Sequence, residues 1–84
     1  MIYDYKTTGT CSQIIRITHE NGIIEDVQFL GGCNGNLQGI AALVRGQRME
    51  DIIARLDGIQ CGMKGTSCPD QLAHALREIL SQEQ

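Results

Sequence analysis

Asn21-Gly22 stands between two runs rich in β-branched residues, and no other feature narrows the possible folds so much. Asn and Gly both tolerate positive φ, the backbone required at the two central positions of a type I′ turn. With Ser12 to Thr18 (S-Q-I-I-R-I-T) before it and Ile23 to Leu30 after it, the dipeptide predicts an antiparallel hairpin. Alternation along the return strand separates Ile23, Glu25, Val27 and Phe29 from Ile24, Asp26, Gln28 and Leu30. The first set is the more apolar, which assigns Ile23, Val27 and Phe29 to the core. Ile2 to Lys6 reads as a short first strand.

After Leu30 the apolar residues recur at helical spacing. A glycine-rich loop, Gly31-Gly32-Cys33-Asn34-Gly35-Asn36, leads into a helix that starts near Asn36 and runs through Leu37, Ile40, Ala41, Leu43 and Val44. Gly46 stops it. A second helix spans roughly Arg48 to Leu56, with Met49, Ile52, Ile53 and Leu56 as its buried stripe, and Gly58 ends it. A further loop runs from Ile59 to Thr66. The last helix opens on Ser67-Cys68-Pro69-Asp70. Ser67 is the expected N-cap, with Asp70 in the third position of a capping box and Pro69 in the first turn. Leu72, Leu76, Ile79 and Leu80 carry its apolar stripe to about Ser81, and the tail 82–84 should fray. Strands followed by helices predict an α+β fold, a small antiparallel sheet with about three helices packed on one face. The length of 84 residues fits a single domain over 1–84.

Such a domain must be stabilised by little. It has no Trp, one Phe and two Tyr, so its core rests on Ile, Leu, Val and Ala. A small domain with that core gains from a metal anchor, because metal binding free energy adds to folding free energy. The four cysteines, Cys11, Cys33, Cys61 and Cys68, supply candidate ligands. Each falls at the end of an expected element and none in the middle of an apolar stripe. A formed hairpin brings Cys11 and Cys33 to the same end of the sheet. Cys33 and Cys68 each sit at the start of a helix, where the dipole and free N–H groups favour a thiolate. Thiolates are the form that Zn²⁺ and Fe–S clusters bind. The competing readings are small buried hydrophobes without chemistry, and a disulfide framework. No Cys-x2-Cys knuckle is present to decide between them.

Other function classes are poorly supported. The formal charge is −3, and the basic residues are scattered without interleaved aromatics, so nucleic-acid binding is not expected. No apolar run approaches signal-peptide or membrane-span length, which points to the cytoplasm and away from membranes. His19, beside the turn, and His74, on the polar side of the last helix, read as solvated residues. Arg45 and Arg48 read as a solvated helix connection. The sequence lacks a G-x-x-x-x-G-K-[ST] phosphate loop. Few paired acids and no Cys-x-x-Cys leave little to run a stand-alone reaction.

Thr66-Ser67-Cys68-Pro69-Asp70 spells T-S-C-P-D. Together with Gly32-Cys33-Asn34-Gly35-Asn36 and Gln71-Leu72-Ala73, it resembles the TSCPD-domain family over nearly the whole chain. Members of that family occur as small stand-alone proteins and as a C-terminal domain of some cobalamin-dependent ribonucleotide reductases. The stand-alone members often carry a transferred ribonucleoside-diphosphate reductase name. A chain of 84 residues cannot hold the barrel, radical site and cofactor site of that reaction. The resemblance therefore implies a cysteine-rich, metal-binding accessory or interaction module, associated with ribonucleotide reductase or another protein. Zinc or an Fe–S cluster would be held by Cys11, Cys33, Cys61 and Cys68.

A more distant resemblance is to the NifU-type Fe–S cluster scaffolds. It rests on Glu20-Asn21-Gly22-Ile23-Ile24-Glu25-Asp26 after a strand, a Gly-Cys loop, and a helix ending in Val44-Arg45-Gly46-Gln47. It implies a scaffold or carrier with Cys11, Cys33 and Cys68 as ligands. Gln13 and Ser67 stand where that family carries Asp and His, and Cys61 adds a fourth thiol. Four thiolates suit a closed structural site better than an open transfer site. A thiol-redox protein is the third reading.

Overall fold

The computed structural model describes residues 1–7, 14–31, 35–59 and 67–83. Six elements follow one another: β1 (Ile2–Lys6), β2 (Ile14–Glu20), β3 (Ile23–Leu30), α1 (Gly35–Val44), α2 (Met49–Leu56) and α3 (Cys68–Glu83). The strands form one antiparallel sheet in the order β1-β2-β3, and the fold is α+β, as expected. Asn21 at φ 53° and Gly22 at φ 80° make the two-residue hairpin turn between β2 and β3.

The register explains which residues become core. Tyr3 and Tyr5 of β1 lie opposite Ile17 and Ile15, which lie opposite Val27 and Phe29 of β3. These six residues share the helix-facing side of the sheet with His19. Between Thr18 and His19 the pairing slips. Thr18 faces Asp26 but His19 faces Ile24, so Glu25 is the extra residue of a β-bulge. One inserted residue exchanges the two faces of everything beyond it. Ile24 therefore joins Val27 in the core with no solvent exposure, and Ile23, expected there from simple alternation, is only half-buried.

His19 is the second correction. It was expected in solvent, but β2 continues to Glu20, so His19 falls on the same face as Ile15 and Ile17 and is buried. The hairpin end is further closed by main-chain bonds. His19 N–H donates to Met1 C=O at 2.9 Å, and the Met1 ammonium donates to His19 C=O at 2.8 Å. The edge of β3 is covered by the α1–α2 connection. Gly46 N–H donates to Ile24 C=O, Ile24 N–H to Gln47 C=O, and Met49 N–H to Gly22 C=O. Gly46 reaches this position at φ 82°, a conformation that disfavours side chains.

The helices close one core over the sheet. Ala41 and Val44 of α1, Met49 and Ile52 of α2, and Leu72, Ala75, Leu76 and Ile79 of α3 pack on Ile15, Ile17, Ile24 and Val27. Glu50 and Asp51 in the first turn of α2 and Arg55 in its last complement the helix dipole. The helix then ends in a type II turn. Asp57 takes φ −62°, ψ 130°, Gly58 takes φ 86°, and Ile59 N–H returns to Leu56 C=O at 3.3 Å.

Candidate functional site

The start of α3 is built from the Ser67-Cys68-Pro69-Asp70 run. Ser67 caps the helix as expected: its Oγ accepts from Asp70 N–H at 3.2 Å, and its C=O accepts the first helical bond from Gln71 N–H at 2.8 Å. The same hydroxyl donates to Ile59 C=O at 2.6 Å. Asp70 Oδ1 accepts from Gly58 N–H at 2.7 Å. Ser67 and Asp70, both buried, thus tie the first turn of α3 to the turn that ends α2. In a capping box the third residue would reach back to its own cap; here Asp70 reaches the neighbouring helix end. Its position three after Ser67 hinted at a cap, but nothing local in the sequence indicated Gly58 as its partner.

Cys68 is the first residue of this helix and is buried at 8% exposure. It stands at a helix N-terminus, where the macrodipole favours an anion, while its burial acts against one. Cys11, Cys33 and Cys61 lie outside the described residues. The residues that flank them are described, and their placement is informative. Lys6 lies opposite Ile14, and Ile14 opposite Leu30, so the end of β1, the start of β2 and the end of β3 stand in one row. Thr7 and Ile14 bracket Cys11 in the chain, and Gly31 and Gly35 bracket Cys33. The Ser67–Ile59 hydrogen bond brings together, at the start of α3, the two residues that bracket 60–66, the segment to which Cys61 belongs in the chain.

The tyrosines fix the direction of α3 against the sheet. The Tyr3 phenol is raised above its usual pKa by burial, then by a hydrogen bond with Glu78; Gln82 also reaches it. Tyr5 is raised by burial, then by the negative charges of Glu78 and Asp70. The helix therefore runs from the Lys6 end of β1 back toward Tyr3. Cys68 starts at the same end of the sheet as the residues that bracket Cys11 and Cys33.

Of the remaining candidates, His19 lies away from this end, whereas the Asp57, Asp70 and His74 group lies at the start of α3. His19 is five positions along β2 from Ile14, roughly 16 Å at ~3.3 Å per residue. Asp57, Asp70 and His74 place one donor atom each within 4.8 Å of one another. Their partners account for them without an ion: Arg77 holds Asp57 at 2.6 Å, Gly58 N–H holds Asp70, and His74 Nε2 lies 3.5 Å from Asp70 Oδ1. His74 is half-exposed on α3, in keeping with its expected polar side. Among the described residues, no helix is long and apolar enough to cross a membrane.

No curated protein and no solved structure matches the chain. The resemblance to NifU-type scaffolds finds no counterpart in these comparisons. The TSCPD domain model matches residues 2–80, a span that includes every strand and helix up to the last turns of α3. The chain belongs to the TSCPD domain family.

Proposed function

We propose that this protein is a cytoplasmic, single-domain accessory module, residues 1–84, that binds zinc or an Fe–S cluster through Cys11, Cys33, Cys61 and Cys68. Its partner in this reading is ribonucleotide reductase or another protein. The observation that supports it best is the common placement of the residues bracketing Cys11, Cys33 and Cys61 with buried Cys68 at one end of the sheet. The donor chemistry fits: a helix N-terminus favours an anion, and a thiolate is the ligand such centres take.

Four thiolates fill the tetrahedral shell of one Zn²⁺ and leave no position for a substrate. The chain's own part is then to hold those thiolates and to link the three connections that carry them to α3. Ser67 and Asp70 fix the helix start that presents Cys68. Bound metal would stabilise a core with few aromatic residues.

The test is metal analysis of protein purified without air, with Cys61→Ser and Cys68→Ser alongside. Stoichiometric zinc or iron in the wild type is expected, with loss of metal and of thermal stability in both variants. Retention in Cys61→Ser with loss in Cys68→Ser would favour a three-ligand scaffold. A folded wild type without metal would end both metal readings and leave the thiols as packing or redox groups.

A further inference from the structure

Two grooves flank α1, and they differ in how their arginines are satisfied. The first, against β3, is lined by Arg45, whose guanidinium meets Asp26 Oδ1 at 3.0 Å. The second lies between α1 and α2, with a volume of about 400 Å³. Its walls are Ile40, Leu43, Val44, Ile52 and Leu56, and its rim carries Arg55. Leu43 is 78% exposed, the most exposed large apolar side chain among the described residues. Among the described residues, Arg55 has no ion pair and no carboxylate lines the groove. Even Asp51, one turn earlier on α2, forms none with it.

We propose that this groove docks a short amphipathic helix of a partner protein, with an aliphatic or aromatic anchor beside Leu43 and a carboxylate for Arg55. An apolar floor between two helices is the surface that helix-in-groove recognition uses. Arg55 on its rim, unpaired among the described residues, selects the sign of the occupant's charge. A second copy is the poorer occupant. A two-fold contact sets the same patch against itself, which would bring Arg55 against a groove with no carboxylate to meet it. The overall charge of −3 repels acidic ligands generally, so a preference for them must arise at the groove. None of the lining residues is a candidate metal ligand. The proposal extends the interaction half of the preceding reading and stands whether or not the thiols hold metal.

The test is selection from a displayed library of random, helix-prone peptides of roughly 14 residues, four turns. Enriched peptides are then titrated by fluorescence anisotropy against the wild type, Leu43→Ser and Arg55→Gln. Enrichment of Asp or Glu within one turn of a Leu, Ile or Phe is expected. Leu43→Ser should weaken binding by roughly tenfold, the loss of one buried aliphatic contact. Arg55→Gln should weaken it by about threefold, with a gap that shrinks as salt rises. Circular dichroism of both variants should match the wild type, because both side chains are exposed. An empty selection, peptides without carboxylates, or equal binding to all three proteins overturns the proposal. So does a wild-type dimer in sedimentation that Leu43→Ser converts to monomer, which would assign the groove to a second copy.

Discussion

The two ends of the sheet are built differently. At the hairpin end, main-chain groups hold one another: Met1 with His19, Gly22 with Met49, Ile24 with Gly46 and Gln47. Side-chain chemistry contributes little there beyond the buried faces of Ile17, Ile24 and His19. At the other end, side chains do the joining. Ser67 and Asp70 use a hydroxyl and a carboxylate to fasten α3 to the end of α2, and Cys68 stands between them in the chain. Backbone pairing tolerates many side chains, whereas the α3 junction requires particular ones. The four-residue run from Ser67 to Asp70 sits at the end where identity matters.

The largest effect should come from the hairpin end. Ile24→Ala removes a fully buried side chain opposite buried His19 and should cost about 2–5 kcal/mol, read as a lower urea midpoint. If the two ends are as separate as their bonding suggests, metal content per folded molecule should not change. A parallel loss of metal would show that the ends are coupled and break the comparison.

Ser67→Ala should act more weakly on stability but at the other end. Losing the cap costs roughly 1 kcal/mol, and Ile59 C=O loses its donor as well. If Cys68 is a ligand, this variant should also release metal faster to a chelator, because the helix start that presents the thiol is loosened. Ser67→Thr keeps the hydroxyl and should restore both properties. Equal chelator rates for wild type and Ser67→Ala would confine Ser67 to a capping role.

Much of this architecture was legible in the sequence, and the exceptions have physical causes. Ile2–Lys6 and Ile23–Leu30 are strands with the bounds expected of them, and the turn follows from Asn21-Gly22, a local signal. Ile24 was misassigned because a single extra residue, Glu25, reverses the face of a strand, and alternation cannot reveal a bulge. His19 was misassigned because its strand runs two residues further than the β-rich run suggested. The cover on β3 by 46–48 depends on a contact between distant segments, as does the bond from Gly58 to Asp70. At the candidate site, Ser67 as cap and Cys68 as the helix start were readable; the other three cysteines lie outside the described residues.

The smallest effect concerns pH, and it probes the direction of α3. Burial first, and then Glu78, raise the Tyr3 phenol; burial first, and then Glu78 and Asp70, raise Tyr5. A raised folded pKa means that the native state holds the phenol proton more tightly than the unfolded chain does. The stability from this difference is fully present below the ordinary phenol value of 10.0 and is lost as pH rises through the higher folded value. Thermal midpoints should therefore fall on the alkaline side of pH 10, and Tyr5→Phe should flatten that fall. Asp70 supplies the distinguishing arm, because it acts on Tyr5 and is absent among the influences on Tyr3. Asp70→Asn removes that charge at the start of α3, so it should lower the Tyr5 titration toward its ordinary value and leave Tyr3 in place, as followed by phenolate absorbance in the Tyr3→Phe and Tyr5→Phe backgrounds. An equal shift of both phenols would mean that the helix start does not favour the Lys6 end of β1. Cys68 would then have no reason to stand beside the strand ends that bracket Cys11 and Cys33.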